Sequence, residues 1–94
     1  MRRLLVINPN TSDSVTALLR THILQVSGPD VAVHMATARF GARYISSEAS
    51  YAIAAHATLD AWAAGLADGG PRPDGVLIGC CGEPGLLGLR DWSA

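Results

Sequence analysis

The chain contains no lysine: all seven basic residues are arginines, at Arg2, Arg3, Arg20, Arg39, Arg43, Arg72 and Arg90. They are scattered, and against eight acidic residues they leave a formal net charge of −1. Without a basic patch there is no electrostatic handle for a nucleic-acid backbone or an anionic membrane surface, so neither is expected as a partner. Cysteine is scarce too, with only the adjacent pair Cys80 and Cys81. Two neighbouring cysteines make no disulfide framework. Lacking C-x-x-C spacing, they suggest neither zinc nor thioredoxin-like chemistry, and no metal is expected. Long apolar runs are missing as well. The opening MRRLLVINPN has four apolar residues before Asn8, whereas the apolar core of a signal peptide needs about 7–15. The most apolar longer stretch, Tyr51 to Ala67, carries His56 and Asp60 and falls short of the roughly 20 residues of a helical span. With no export or membrane signal the expected compartment is the cytoplasm, where thiols stay reduced.

What is present is an ordinary globular composition, 49% apolar and 16% charged over 94 residues, enough for one small domain. Leu4-Leu5-Val6-Ile7 is an unbroken apolar run, the pattern of a strand buried on both faces. Asn10, Thr11 and Ser12 offer N-cap side chains to a helix with Val15, Leu18, Leu19, His22, Ile23 and Val26 at helical spacing, stopped by Gly28-Pro29. Val31 to Ala36 reads as a second strand. Thr37 to Ser47 is irregular and rich in arginine and aromatics. An Ala-rich helix is predicted from Ser47 or Glu48 to Asp68, with Ala52, Ala55, Leu59, Trp62 and Leu66 on its apolar stripe. After the Gly69–Gly75 turn, Val76 to Cys80 forms a third strand. Pro84 suits a first helical position, opening a short final helix through Leu86, Leu87 and Leu89.

The order β-α-β-α-β-(α) implies an α/β fold, a three-layer sandwich with a parallel sheet. Right-handed crossovers and a flavodoxin-like strand order 2-1-3 place the two main helices on opposite faces. The first and third strands are then neighbours whose connections leave in opposite directions. Ligands bind at such a switch point, beyond the carboxyl ends of the strands. Here those ends are Asn8–Ser12 and Cys80–Glu83.

Successive strand side chains point to opposite faces, so Cys80 and Cys81 are not expected to share a role. A cysteine ending a buried strand often serves as a small hydrophobe. One placed before a helix start also feels amide N–H groups that favour the reactive thiolate. The N–H groups of Cys81 and Gly82 are candidates to hold a substrate oxygen. Asn8, Asn10, Thr11 and Ser12 read as turn and helix cap, and also as an anion cradle of N–H groups, hydroxyls and amides. His22 is expected to pack on its helix, His34 and His56 to be structural or exposed, and Trp62 to be core. Glu83 reads as a cap of the last helix. The Arg39–Tyr44 segment follows the second strand at the same sheet edge, either as a surface loop or as a cover over substrate.

"LLVINPNTS", "ARFGARYISSEASYA" and "DGVLIGCCGEPGLLGLR" together resemble the Asp/Glu/hydantoin racemase family, its hydantoin racemase-like branch above all. The resemblance runs the length of the chain. It implies a cofactor-independent isomerase with two similar α/β lobes, each giving one cysteine. One thiolate removes a proton from the stereogenic carbon of an amino acid or hydantoin derivative, and the opposite thiol returns one to the other face. By position Cys80 matches the first catalytic cysteine. Asn8, Asn10 and Thr11 match the substrate-binding loop, joined by Cys81 and Gly82. Cys81 itself falls where the motif usually carries a non-catalytic residue, and Glu83 stands where Asp is common. Family members are more than twice as long, so residues 1–94 are expected to be part of an amino-terminal lobe, with a small-molecule substrate and a homo-oligomeric state at full length. An open edge on the third strand and a last helix too short to cover anything follow from that expectation. The alternatives are a maleate isomerase-like cis-trans isomerase and a non-catalytic small-anion-binding remnant.

Overall fold

The computed structural model describes residues 2–67, 72–80 and 82–93. Three strands, β1 (Arg2–Asn8), β2 (Val31–Thr37) and β3 (Gly75–Ile78), alternate with three helices, α1 (Asp13–Ser27), α2 (Glu48–Ala67) and α3 (Leu86–Ser93). The sheet is parallel in the order β2-β1-β3. Its register pairs Leu4 with Val33 and Gly75, and Ile7 with Ala36 and Ile78. The central position of β1 explains its unbroken apolar run, because Leu5, Val6 and Ile7 are buried whichever face they point to.

The two faces are covered by different helices. Leu5, Ile7 and Ile78 meet Ala61 and Trp62 of α2 and Leu89 of α3, forming the main core. On the other face Asn8 and Thr37 are hydrogen-bonded to Thr16 of α1, and Leu19 lies over Gly79 beyond the end of β3. Trp62 is core as its spacing predicts. No described helix is long and apolar enough to cross a membrane.

Ser12 is the N-cap of α1, its hydroxyl accepting from Val15 N–H at 3.4 Å, and Gly28 at φ +77° ends the helix. The broad stripe predicted for α1 splits. Val15, Leu19 and Ile23 are half-buried, whereas Leu18, His22 and Val26 face solvent, and no α1 residue is fully buried. Three strands are too narrow to cover all six positions.

Helix α2 begins after Ser47, where Ser47 and Ser50 exchange backbone-to-hydroxyl hydrogen bonds of 2.9 and 3.1 Å in the manner of a capping box. Its buried face is Ala54, Ala57, Thr58, Ala61 and Trp62, while Ala52 and Leu66 of the predicted stripe are exposed. A helix apolar on nearly every side carries little periodicity to choose a face, and small residues let the helix lie close to the sheet. The buried Thr58 hydroxyl is satisfied by donating to the Ala54 carbonyl at 2.9 Å.

The last helix departs from expectation in both start and effect. Pro84 is buried in a turn and α3 starts two residues later, with Leu86 N–H bonded to the Glu83 carbonyl at 3.1 Å. Eight residues suffice to bring Leu89 into the core against Trp62 and Ile78. Strand β3 ends at Ile78 rather than Cys80, although Gly79 N–H still donates to the Ile7 carbonyl at 2.8 Å.

Candidate functional site

Because β1 and β3 are adjacent and parallel, the loop after Asn8 and the turn after Ile78 leave the sheet at the same edge. Asn8, Asn10, Thr11, Cys80 and Gly82 are thus all carried to that edge.

The loop from β1 is closed on itself. Asn8 is fully buried, and its side-chain amide donates to the Ser12 carbonyl at 3.1 Å and to Thr16 Oγ1 at 3.0 Å. Its side-chain oxygen accepts from Asn10 N–H at 3.1 Å, and the Asn10 side chain accepts from Ser12 N–H at 3.0 Å. Thr11 N–H donates to the Ala42 carbonyl at 3.0 Å. Backbone N–H groups of three successive residues are therefore occupied within the protein, and the cradle foreseen from the sequence has its backbone part spent on loop shape. Asn10 and Thr11 stay half-exposed.

The Thr11–Ala42 bond also fixes the 38–47 segment at this edge. Arg39 in that segment forms a two-pronged ion pair with Asp60 of α2, at 2.6 and 2.8 Å. The Arg39 hydrogen bonds hold the Asp60 carboxyl below its ordinary value, and Asp60 in turn raises the guanidinium. Phe40 stands edge-on to His56, with ring centroids 5.0 Å apart. His22 and His34 are exposed.

Beside β3, an open pocket of about 630 Å³ is lined by Ile45, Ser46, Ser47, Glu48, Tyr51, Cys80 and Gly82. Cys80 is half-buried. Its carbonyl accepts from Glu83 N–H at 3.1 Å, closing a four-residue turn with Gly82, at φ +80°, in third place. Glu83 also takes a left-handed conformation, at φ +50°. Among the described residues no hydrogen bond joins its side chain, the expected cap, to the start of α3; only its backbone carbonyl accepts, from Leu86 N–H. Cys81 lies outside the described residues. Cys80 and Gly82 line the pocket, whereas Asn8, Asn10, Thr11 and the histidines do not. The rest of the lining comes from Ile45, Ser46, Ser47, Glu48 and Tyr51, positions that the sequence marks as loop and helix start rather than as site residues. Tyr51 lies within the "ARFGARYISSEASYA" stretch that carries part of the family resemblance, but its position in an Ala-rich helix signals no particular chemistry.

A second groove, of about 450 Å³, runs between β2 and α2 over Leu5, Ala36 and Ala61, and shares no residue with the first. It is the more enclosed of the two and its lining contains no cysteine, whereas the open pocket is lined by Cys80. Among the described residues no cluster of three or more His, Cys, Asp or Glu side chains is placed to hold a metal ion.

The parallel α/β sheet carries a thiol and a polar loop at its carboxyl edge, the edge at which folds of this class place their ligands. The chain belongs to the Asp/Glu/hydantoin racemase family, whose profile it matches over residues 4–93. Among solved structures it is similar to allantoin racemase from Klebsiella pneumoniae, at 35% sequence identity and a TM-score of 0.86. The match covers 97% of this chain and 36% of that racemase, so the chain spans little more than a third of its length. No curated protein matches the chain.

Proposed function

We propose that the chain is the Cys80-bearing part of a cofactor-independent racemase acting on hydantoin derivatives. The observation that carries the reading is the position of Cys80, in a pocket beside the end of β3, in a chain of this racemase family. The 35% identity to an allantoin racemase favours a hydantoin ring over an acidic amino acid.

The chemistry asks for a base beside an acidified carbon. In a hydantoin, C5–H is next to a ring carbonyl, so removing its proton puts charge on that oxygen. The Cys80 thiolate takes the proton, and backbone N–H groups of the turn, Gly82 among them, face the developing oxyanion. Asn10 and Thr11 bind the substrate's polar edge, and Asn8 shapes their loop. Inversion needs a second acid on the opposite face of the ring. The opposing thiol comes from a segment outside these 94 residues, which form part of an amino-terminal lobe.

With Cys80 as base and no opposing thiol, the chain alone removes and returns a proton on the same face. Incubated in deuterated water with one enantiomer of a 5-monosubstituted hydantoin, it should exchange C5–H faster than buffer while optical rotation decays no faster than in the buffer control. Cys80→Ala should reduce the exchange to the buffer rate with little change in the unfolding midpoint. Equal exchange by both chains would remove Cys80 from the reaction. Full racemisation by residues 1–94 at an ordinary enzymatic rate would show that no thiol from outside them is needed.

A further inference from the structure

Tyr51 lines the same pocket as the proposed base, and its role differs from that of the other lining residues. Its hydroxyl donates to the Gly82 carbonyl. Its ring lies flat enough against the turn that a Cβ on Gly82 would come within 3.0 Å of Cε2 and 3.2 Å of the hydroxyl oxygen. The peptide that receives this bond is used at both ends. Its carbonyl, on Gly82, is held by Tyr51, and its N–H, on Glu83, is held by the Cys80 carbonyl at 3.1 Å. One rigid peptide plane therefore links the phenol of α2 to the backbone of Cys80.

The turn needs such a link. Gly82 and Glu83 both have positive φ, and a non-glycine residue in that region costs free energy unless its surroundings hold it there. Cys80, Gly82 and Glu83 also lie beyond the last ladder pairing of β3 with β1, at Ile78, so the sheet does not fix them. Helix α2 is rooted in the main core through Ala61 and Trp62, and Tyr51 extends that rigidity to the turn.

We infer that Tyr51 is a positioning residue for Cys80, acting through the Gly82–Glu83 peptide to set the strand-end conformation in which the thiol meets substrate. The inference rests on the reading of Cys80 as the base, and it adds a residue that neither transfers a proton nor belongs to the polar loop.

Tyr51→Phe keeps the ring against Gly82 and removes only the hydrogen bond. By amide hydrogen exchange, Glu83 N–H should open about tenfold faster, while amides in β1 and the middle of α2 keep their wild-type rates. In the deuterium-exchange reaction kcat should fall about tenfold with KM little changed, since misplacing a reacting group costs rate rather than binding. Gly82→Ala, which presses the ring from the other side, should move the Glu83 amide the same way, and it serves if Tyr51→Phe does not fold. A Glu83 amide unaffected by loss of the hydroxyl overturns the inference, and so does a loss expressed in KM alone. A wild-type chain with no Cys80-dependent exchange instead defeats the proposed function, and the Glu83 amide then still reports whether Tyr51 holds the turn.

Discussion

Asn8 ends the central strand with both amide hydrogens donated inside the protein and its side-chain oxygen accepting from Asn10 N–H. Its contribution to a ligand site is therefore the shape of the loop that follows. The string NPNTS was legible as a polar loop and helix cap at a strand end, and the structure has both. Which atoms of that loop face inward was not legible, because hydrogen-bond partners such as Ala42 and Thr16 arrive from other elements. The Arg39–Asp60 pair belongs to this scale too. The fork of hydrogen bonds from Arg39 favours the ionised carboxylate, so Asp60 should titrate, by carbon-13 NMR, below the ordinary aspartate value of about 3.9. Arg39→Ala should bring it back up. Since Asp60 is lowered in the folded state, whatever the pair contributes to stability is present above the ordinary value and lost as pH falls through the lowered one. The pair is solvent-exposed, with Arg39 64% accessible, so the effect on the unfolding midpoint should be small. An unshifted Asp60 would mean the fork does not persist in solution.

At the scale of elements, periodicity located every strand and helix but misjudged faces and ends. Helix α2 presents alanines on several sides, and only the sheet beneath it decided that Ala54, Ala57 and Ala61 go inward. The start of α3 was placed too early because Pro84 is favoured at a first helical turn, whereas here it is buried beside Gly85. Gly85 explains that arrangement. It has φ +83°, and a Cβ there would meet the Ala55 carbonyl oxygen at 2.8 Å. The turn can rest directly on the α2 backbone only without a side chain. Gly85→Ala should therefore cost about 2 kcal/mol or more, combining left-handed strain with a backbone clash. Urea unfolding monitored by Trp62 fluorescence measures it, and a loss under about 0.5 kcal/mol, the range of neutral surface substitutions, would show that the turn yields easily.

For the whole molecule, the 2-1-3 strand order was readable in advance because few arrangements satisfy right-handed crossovers in a β-α-β-α-β chain. The same rule carried Cys80 and Asn8 to one edge. It said nothing of what shares the pocket with the thiol, since Tyr51 reaches Gly82 across 31 residues of sequence. The two faces of the sheet are held unequally. One is cemented by Trp62, Ile78 and Leu89. The other bears α1, which buries no residue fully and is tethered by the polar chain Asn8–Thr16–Thr37.

That inequality gives the molecule two melting layers. Helix α1 buries no residue fully, so its amides should exchange through a subglobal opening with a weaker urea dependence than global unfolding. Those of α2 should follow global unfolding. Identical urea slopes for the two helices would show a single cooperative unit. Because α1 begins at the Ser12 cap, each such opening also releases Asn8 from Thr16 and loosens one end of the loop of Asn10 and Thr11. Thr11 N–H stays on the Ala42 carbonyl, and Gly82 stays bonded to Tyr51 of α2. In the site we propose, the side carried by α2 is thus preset, and a ligand gripped by the loop of the other side would bind the docked form of α1 and so suppress its opening.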